Sequence, residues 1–201
     1  MDQFLPFILF AFVASITPGP TNILVMTNTS RHGWTGVAPM VLGACGGAAA
    51  LVLLVGTGVG DVLARHQGVQ TVMSWLGIAW LSWMALQIFS APAQAIDPTN
   101  TDSKGPRLGL FTAASLQLVN PKTWMMALVV VSVFAGTEAD RGMRVVYLSL
   151  MFFLIAIPCM TAWAWLGVSA ARVCRSPLSM QRFNRSMAVL LLVSTWMTVW
   201  V

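Results

Sequence analysis

Six stretches of this chain are almost continuously apolar, at about 4–29, 36–60, 68–90, 108–134, 145–168 and 185–201. Short polar segments between them carry nearly all the charge. A helix needs about 20 apolar residues to cross the hydrocarbon core of a bilayer. The first five stretches reach that length. The last holds 17 residues and spans only if Trp196 and Trp200 settle at the far interface. The pattern predicts an all-α integral membrane protein with six transmembrane helices.

Two of the six stretches are interrupted. The first contains "SITPGPTNILVM", residues 15–26, and the fourth contains "QLVNPKTWMMA", residues 117–127. Proline removes a backbone donor and clashes with the preceding turn, so both helices should break near mid-span. The segment 91–107, "APAQAIDPTNTDSKGPR", has three prolines and small polar residues and reads as a flexible cytoplasmic linker. It divides the chain into a three-helix repeat at 1–90 and a second at 108–201. An odd number of spans per half makes the halves enter from opposite sides, as an inverted repeat does. Pro20 and Pro121 then fall at matching positions. Paired interruptions of this kind are the best sequence pointer to a transporter's binding site.

Composition sharpens this picture. Hydrophobic residues make up 57% of the 201 and charged ones 8%, against about 25% charged in soluble domains. The mean hydropathy is +0.78. The net charge of +5 therefore speaks to membrane orientation and not to nucleic acid. The odd-numbered loops carry Arg31, then Lys104 and Arg107, then Arg172, Arg175, Arg182 and Arg185. The even-numbered loops carry Arg65, then Arg141 and Arg144. The positive-inside rule puts the odd loops in the cytoplasm and both termini in the periplasm. Met1-Asp2-Gln3-Phe4 has no basic region, so the first helix is expected to be retained and not cleaved as a signal.

The candidate chemistry sits at the two interruptions. Backbone groups freed by a break are tolerated in a membrane only where they line a cavity or bind something. A helix N-terminus exposed there carries about half a positive charge and can hold a carboxylate. The expected substrate-binding residues are Thr17, Pro18, Gly19, Pro20, Thr21 and Asn22 at the first break. At the second they are Asn120, Pro121, Lys122 and Thr123. The plain alternative is that the prolines only kink helices for packing.

Lys122 lies deep in its span, where a charge costs a few kcal/mol on the most lenient scale. The six acidic residues (Asp2, Asp61, Asp97, Asp102, Glu138 and Asp140) all fall in loops or at the terminus. Either carbonyls freed at Pro121 satisfy Lys122, or an anionic substrate group does. If transport is proton-driven, the titrating group is Lys122 or the substrate itself.

Other features point to structure. Gly43 and Gly47, and Gly56 and Gly60, have the spacing that lets helices pack closely, within one chain or across a dimer. Trp75, Trp80, Trp83, Trp163 and Trp165 read as belt or packing residues. Cys45, Cys159 and Cys174 form no paired framework, and His32 and His66 fall in predicted loops. No metal site and no cofactor is expected. An intramembrane enzyme would need catalytic groups inside the spans, and there is no HExxH, histidine or carboxylate in them. A non-transporting assembly or sensor subunit is the alternative from another class.

The early "TPGP", the basic turn "SRHGW" and the mid-chain "LQLVNPK" together resemble the LysE/RhtB-type amino-acid exporters over essentially the whole chain. "TPGPTNIL", "RHG" and "LQLVN" look most like the cysteine/O-acetylserine efflux branch, which typically reads TPGPNN; Thr21 departs from that pattern. Many relatives carry an acidic or aromatic residue in the second span. This chain has "GACGGAAALV", which argues against a cationic substrate. The resemblance implies a bacterial inner-membrane exporter of small neutral amino acids or derivatives, driven by the proton-motive force, and leaves a homodimer open.

Overall fold

The computed structural model describes residues 4–59, 67–90, 108–136, 140–173 and 176–196. The linker expected at 91–107 lies outside the described residues, as do Gly60, Arg65, His66, Cys174 and Trp200. The helices are α1 (Phe4–Ile16), α2 (Pro20–His32), α3 (Val37–Leu54), α4 (Gln67–Phe89), α5 (Leu110–Val119), α6 (Pro121–Val129), α7 (Arg141–Val173) and α8 (Pro177–Trp196). A 3-10 turn, Gly33–Gly36, joins α2 to α3, and wider π turns at Val55–Val59 and Val130–Phe134 extend α3 and α6.

Both predicted breaks exist. The first span divides into α1 and α2 around Pro18 and Gly19, the fourth into α5 and α6 around Asn120. Two stretches, Pro20–Gly58 and Arg141–Val173, are long and apolar enough to cross a membrane. Leu110–Val119 with Pro121–Phe134 adds a third if that pair, bent by 73°, is one span. Phe4–Ile16 and Trp75–Phe89 are shorter apolar helices. The break is what shortens α1: 13 residues rise only ~20 Å.

Several expected boundaries move. The last helix begins at Pro177, not 185, and its 20 residues rise ~30 Å without help from an interfacial anchor. The extra turns are amphipathic. Met180, Asn184, Ala188, Leu191 and Thr195 form its buried line, and the charges interleaved with them hide the helix from an apolar window. Trp196 donates from Nε1 to Ser82 Oγ at 3.2 Å and meets Trp75 edge to face. Arg31 and Arg172 lie in the last turns of α2 and α7, and Arg182 and Arg185 inside the first half of α8, none of them in a loop. His32, too, is the buried last residue of α2, with Nδ1 3.0 Å from Asn28 O.

The helices pack mainly across the two halves. Helix α7 lies against α1, α2 and α3; α3 lies against α5 and α6; α4 lies against α8. Weaker interfaces join α2 to α8, and α4 to α5 and α6. All of these connect a helix before residue 91 with one after residue 107. Exchanging α1/α2 with α5/α6, α3 with α7 and α4 with α8 returns the same set of partners.

Lipid tails are as apolar as leucine, so helix association in a membrane comes from close packing and interhelical hydrogen bonds. The Gly43/Gly47 stripe serves this within the chain. A Cβ on Gly47 would stand 2.7 Å from Ala114 O and 2.9 Å from Gln117 Cγ, and one on Gly43 would run into the Leu110 carbonyl. Helix α3 therefore lies backbone to backbone on α5, so Gly43 and Gly47 are used inside the chain. Ser149 Oγ donates to Ala49 O at 2.8 Å, and Thr29 Oγ1 to Ala164 O at 3.1 Å. These hydroxyls tie α7 to α3 and α2. The outer surface is apolar, with Leu9, Phe12, Trp80, Leu86, Leu150, Leu154 and Trp165 exposed, as a lipid-facing surface is.

Two apolar clusters make the interior. One gathers Ile23, Leu81, Leu116, Met160 and Leu191 from α2, α4, α5, α7 and α8. The other gathers Phe7, Leu51, Val130 and Phe152 around α1 and the end of α3. The broken helices bring polar groups to the zone where the clusters meet.

Candidate functional site

At the first break, the carbonyls that end α1 find three different donors. Asn22 Nδ2 donates to Ser15 O at 2.9 Å, Trp163 Nε1 to Ile16 O at 3.1 Å, and Lys122 Nζ to Thr17 O at 2.7 Å. The Thr17 hydroxyl turns back to Val13 O. Lys122 is thus satisfied by a backbone carbonyl, but by one from the opposite break and not by those freed at Pro121. The C-terminal end of a helix is negative, which suits the ammonium there. Gly19 makes room for it: a Cβ at that position would lie 2.9 Å from Lys122 Cδ and 3.0 Å from Nζ.

Helix α2 then starts with Pro20 at its first position and Gly19 as its cap residue, with no side-chain cap. Proline is suited to a first turn because its missing N–H would have no partner there. The N–H groups of Thr21 and Asn22 belong to the turn whose donors have no partner within a helix.

The second break is finished differently. Asn120 caps α6 by accepting from Lys122 N at Oδ1, 3.1 Å, and its Nδ2 donates to Thr21 Oγ1 at 2.8 Å. Thr21 Oγ1 also lies 3.3 Å from both amide atoms of Gln117. Thr123 Oγ1 donates to Gln117 Oε1 at 2.9 Å, and Gln117 Nε2 donates to Ala113 O at 3.1 Å. Trp124 Nε1 donates to Leu118 O at 2.8 Å. The Thr21, Gln117, Asn120 and Thr123 side chains form one buried network joining the breaks.

A cavity of about 30 Å³ opens beside this network. On that scale about two waters fit, and an amino acid does not. Its polar wall is Ser15, Thr21, Asn22, Gln117, Asn120, Lys122 and Thr123; its apolar wall includes Ala44, Cys45, Ala48, Met126, Phe152, Ala156 and Met160. Among the described residues no carboxylate lines it, and no cluster of three His, Cys, Asp or Glu that could hold a metal occurs.

Of the ten residues expected at the site, five line this cavity: Thr21, Asn22, Asn120, Lys122 and Thr123. Gly19, Pro20 and Pro121 are buried and shape the backbone, Thr17 offers its carbonyl, and Pro18 is exposed. Sequence reasoning missed Ser15 and Gln117, both inside the quoted stretches. A glutamine in an apolar span was a usable signal, since an unpaired amide in hydrocarbon is costly. The small residues of α3, expected to pack and to disfavour a cationic substrate, also put Ala44, Cys45 and Ala48 on the cavity wall.

Fold and site define a helical membrane protein whose paired helix breaks supply the polar wall of a small, otherwise apolar cavity. The chain belongs to the LysE type translocator family, whose model matches residues 12–195. It is 26% identical over 188 residues to the homoserine/homoserine lactone efflux protein of Salmonella typhi, covering 93% of this chain and 91% of that protein. It is 25% identical over 167 residues to the cysteine/O-acetylserine efflux protein of Salmonella choleraesuis, covering 81% and 83%. A Vibrio cholerae protein described as an uncharacterized membrane protein is 25% identical over 181 residues, covering 90% and 88%. No solved structure matches the chain.

Proposed function

We propose that this protein is a secondary transporter that exports small neutral amino acids or their derivatives across the bacterial inner membrane. The observation that carries the reading is the pair of helix breaks joined by one buried polar network beside a cavity with an apolar far wall. Relatives named for efflux of homoserine and of cysteine or O-acetylserine point to the same substrate class. A polar head would lie against the breaks and a short side chain against Ala44, Ala48, Ala156 and Met160. The first break, Thr17–Asn22, would take the carboxylate end, with Lys122 supplying positive charge and the second break, Asn120–Thr123, holding both in place. Among the described residues no carboxylate lines the cavity to receive a second cationic group, which favours neutral over basic substrates.

In this reading the chain has six spans in two inverted repeats, 1–90 and 108–201, joined by a cytoplasmic linker at 91–107. The exchange symmetry of the helix partners supports the repeat. Support for the topology comes from contacts that gather the flanks of the odd loops: Leu108 N donates to Asn28 Oδ1 at 3.2 Å, and the Arg185 guanidinium lies 5.2 Å from the Phe89 ring centre. Export would be driven by the proton-motive force, with helices parting around the small cavity to admit substrate.

Accelerated counterflow in proteoliposomes tests this. Vesicles preloaded with homoserine, cysteine, O-acetylserine, threonine, leucine or lysine are given the labelled compound outside. Transient accumulation for the neutral compounds and none for lysine is expected. No counterflow with any of them, from correctly inserted protein, would refute the reading. An uptake rate insensitive to an imposed pH gradient would remove proton coupling.

A further inference from the structure

The first break sets two opposite helix ends face to face. The C-terminal end of α1 is negative and the N-terminal end of α2 is positive. An α-amino acid zwitterion has the matching pair of charges on adjacent atoms. A helix terminus alone does not make a site, but a second observation points the same way. Ser15, in the last turn of α1, is 3% exposed. Its Oγ has no hydrogen-bond partner, and it lines the cavity beside Thr21 and Asn22. A buried hydroxyl left unpaired is costly, so its presence at the cavity wall asks for a partner that arrives there.

We infer that Ser15 is a substrate-binding residue whose Oγ accepts a hydrogen bond from the substrate's α-ammonium group, while the uncapped first turn of α2 and Lys122 take the carboxylate. The local chemistry assigns the poles. The Ser15, Ile16 and Thr17 carbonyls are already taken by Asn22, Trp163 and Lys122, so the side-chain oxygen that the α1 end offers an incoming cation at the cavity wall is the Ser15 hydroxyl. The α2 end offers N–H donors that Gly19 does not cap. Recognition of the ammonium group through a neutral oxygen fits a cavity with no carboxylate among its described lining residues. This inference rests on the transport reading and adds to it which atoms read the amino group.

The test uses the full chain in proteoliposomes and three probes. L-homoserine carries both charges, 4-hydroxybutyrate lacks the amino group, and 3-aminopropanol lacks the carboxylate. Binding and counterflow are measured for wild type, Ser15→Ala and Ser15→Thr. Wild type is expected to prefer homoserine to 4-hydroxybutyrate by at least about tenfold, the worth of one hydrogen bond to a charged group. In Ser15→Ala the homoserine Kd should rise about tenfold while that of 4-hydroxybutyrate stays within about twofold. Ser15→Thr, which keeps the hydroxyl, should retain the preference. If Ser15→Ala does not fold, Ser15→Cys, a weaker acceptor of similar size, should show the same loss of discrimination. Normal homoserine transport with undiminished discrimination in these variants would overturn the role of Ser15 and leave the transporter standing. Equal weakening of all three probes would overturn it too, because a merely structural serine acts that way. A wild type that carries none of the amino acids would overturn both readings.

Discussion

The two helix breaks have the same proline at the same place but begin their second helices in opposite ways. At the second, Asn120 caps α6 with its own side chain and reaches across to Thr21. At the first, Gly19 leaves α2 without a cap, and Lys122 from the other half crosses over it to the end of α1. The first turn of α6 is therefore capped within the protein, and that of α2 is not. In the proposed reading, a glycine in place of an asparagine separates a supporting break from a receiving one. In the proposed mechanism the substrate belongs at the first break and the second holds the first in shape.

Substitutions can break that contrast. The largest effect is expected from Lys122→Met, which removes the cation at the receiving break. Counterflow should fall about ten- to hundredfold, the worth of a hydrogen bond to a charged group, while the thermal midpoint in detergent changes little. Next is Gly19→Ser, which gives α2 the cap that α6 already has. A serine cap is worth only a few tenths of a kcal/mol over glycine, but its Cβ would also stand 2.9 Å from Lys122 Cδ, so the new cap and the displaced cation together should raise KM severalfold, without loss of stability if the Lys122 side chain yields. Unchanged KM in a folded Gly19→Ser protein would mean that the first turn of α2 does not receive the carboxylate.

Asn120→Ala should sharpen the contrast from the other side. It removes the cap of α6 and the bond to Thr21, so unfolding in detergent should come earlier by about 1 kcal/mol or somewhat more. The ranking of transported amino acids should stay the same. The smallest effect is expected from Trp124→Phe, which deletes the donor to Leu118 O and should cost under about 1 kcal/mol with transport unaltered. A collapse of substrate selectivity in either variant would show that the second break also touches substrate.

Much of this was legible in the sequence because membrane helices obey strict rules. Proline at 20 and 121 had to break its helix, and a lysine at 122 had to find a partner inside. The identity of that partner was hidden. The Thr17 carbonyl lies 105 residues away, and nothing in local sequence says which break Lys122 will cross to. Ser15 was invisible for a different reason. A serine near a helix end ordinarily turns back to its own backbone, as the Thr17 hydroxyl does, and only the fold reveals that it does not. The extent of α8 was misjudged because its first two turns are amphipathic, so an apolar window discards a segment that is helical. The role of the Gly43/Gly47 stripe needed the neighbour: spacing alone fits a dimer as well as α5.

The cross-half packing has a consequence for how the chain is made. Residues 1–90 leave the ribosome first, and almost none of their partners exist yet. Until α5 arrives, the Gly43/Gly47 surface of α3 has no backbone to lie on, and until α7 arrives, Thr29 has no carbonyl across the helix crossing. The polar side chains of α2, Thr21 and Asn22 among them, must wait beside lipid or within the insertion machinery. Assembly is thus a late event that depends on the second half, and a chain truncated within the linker is a natural target for quality-control proteolysis.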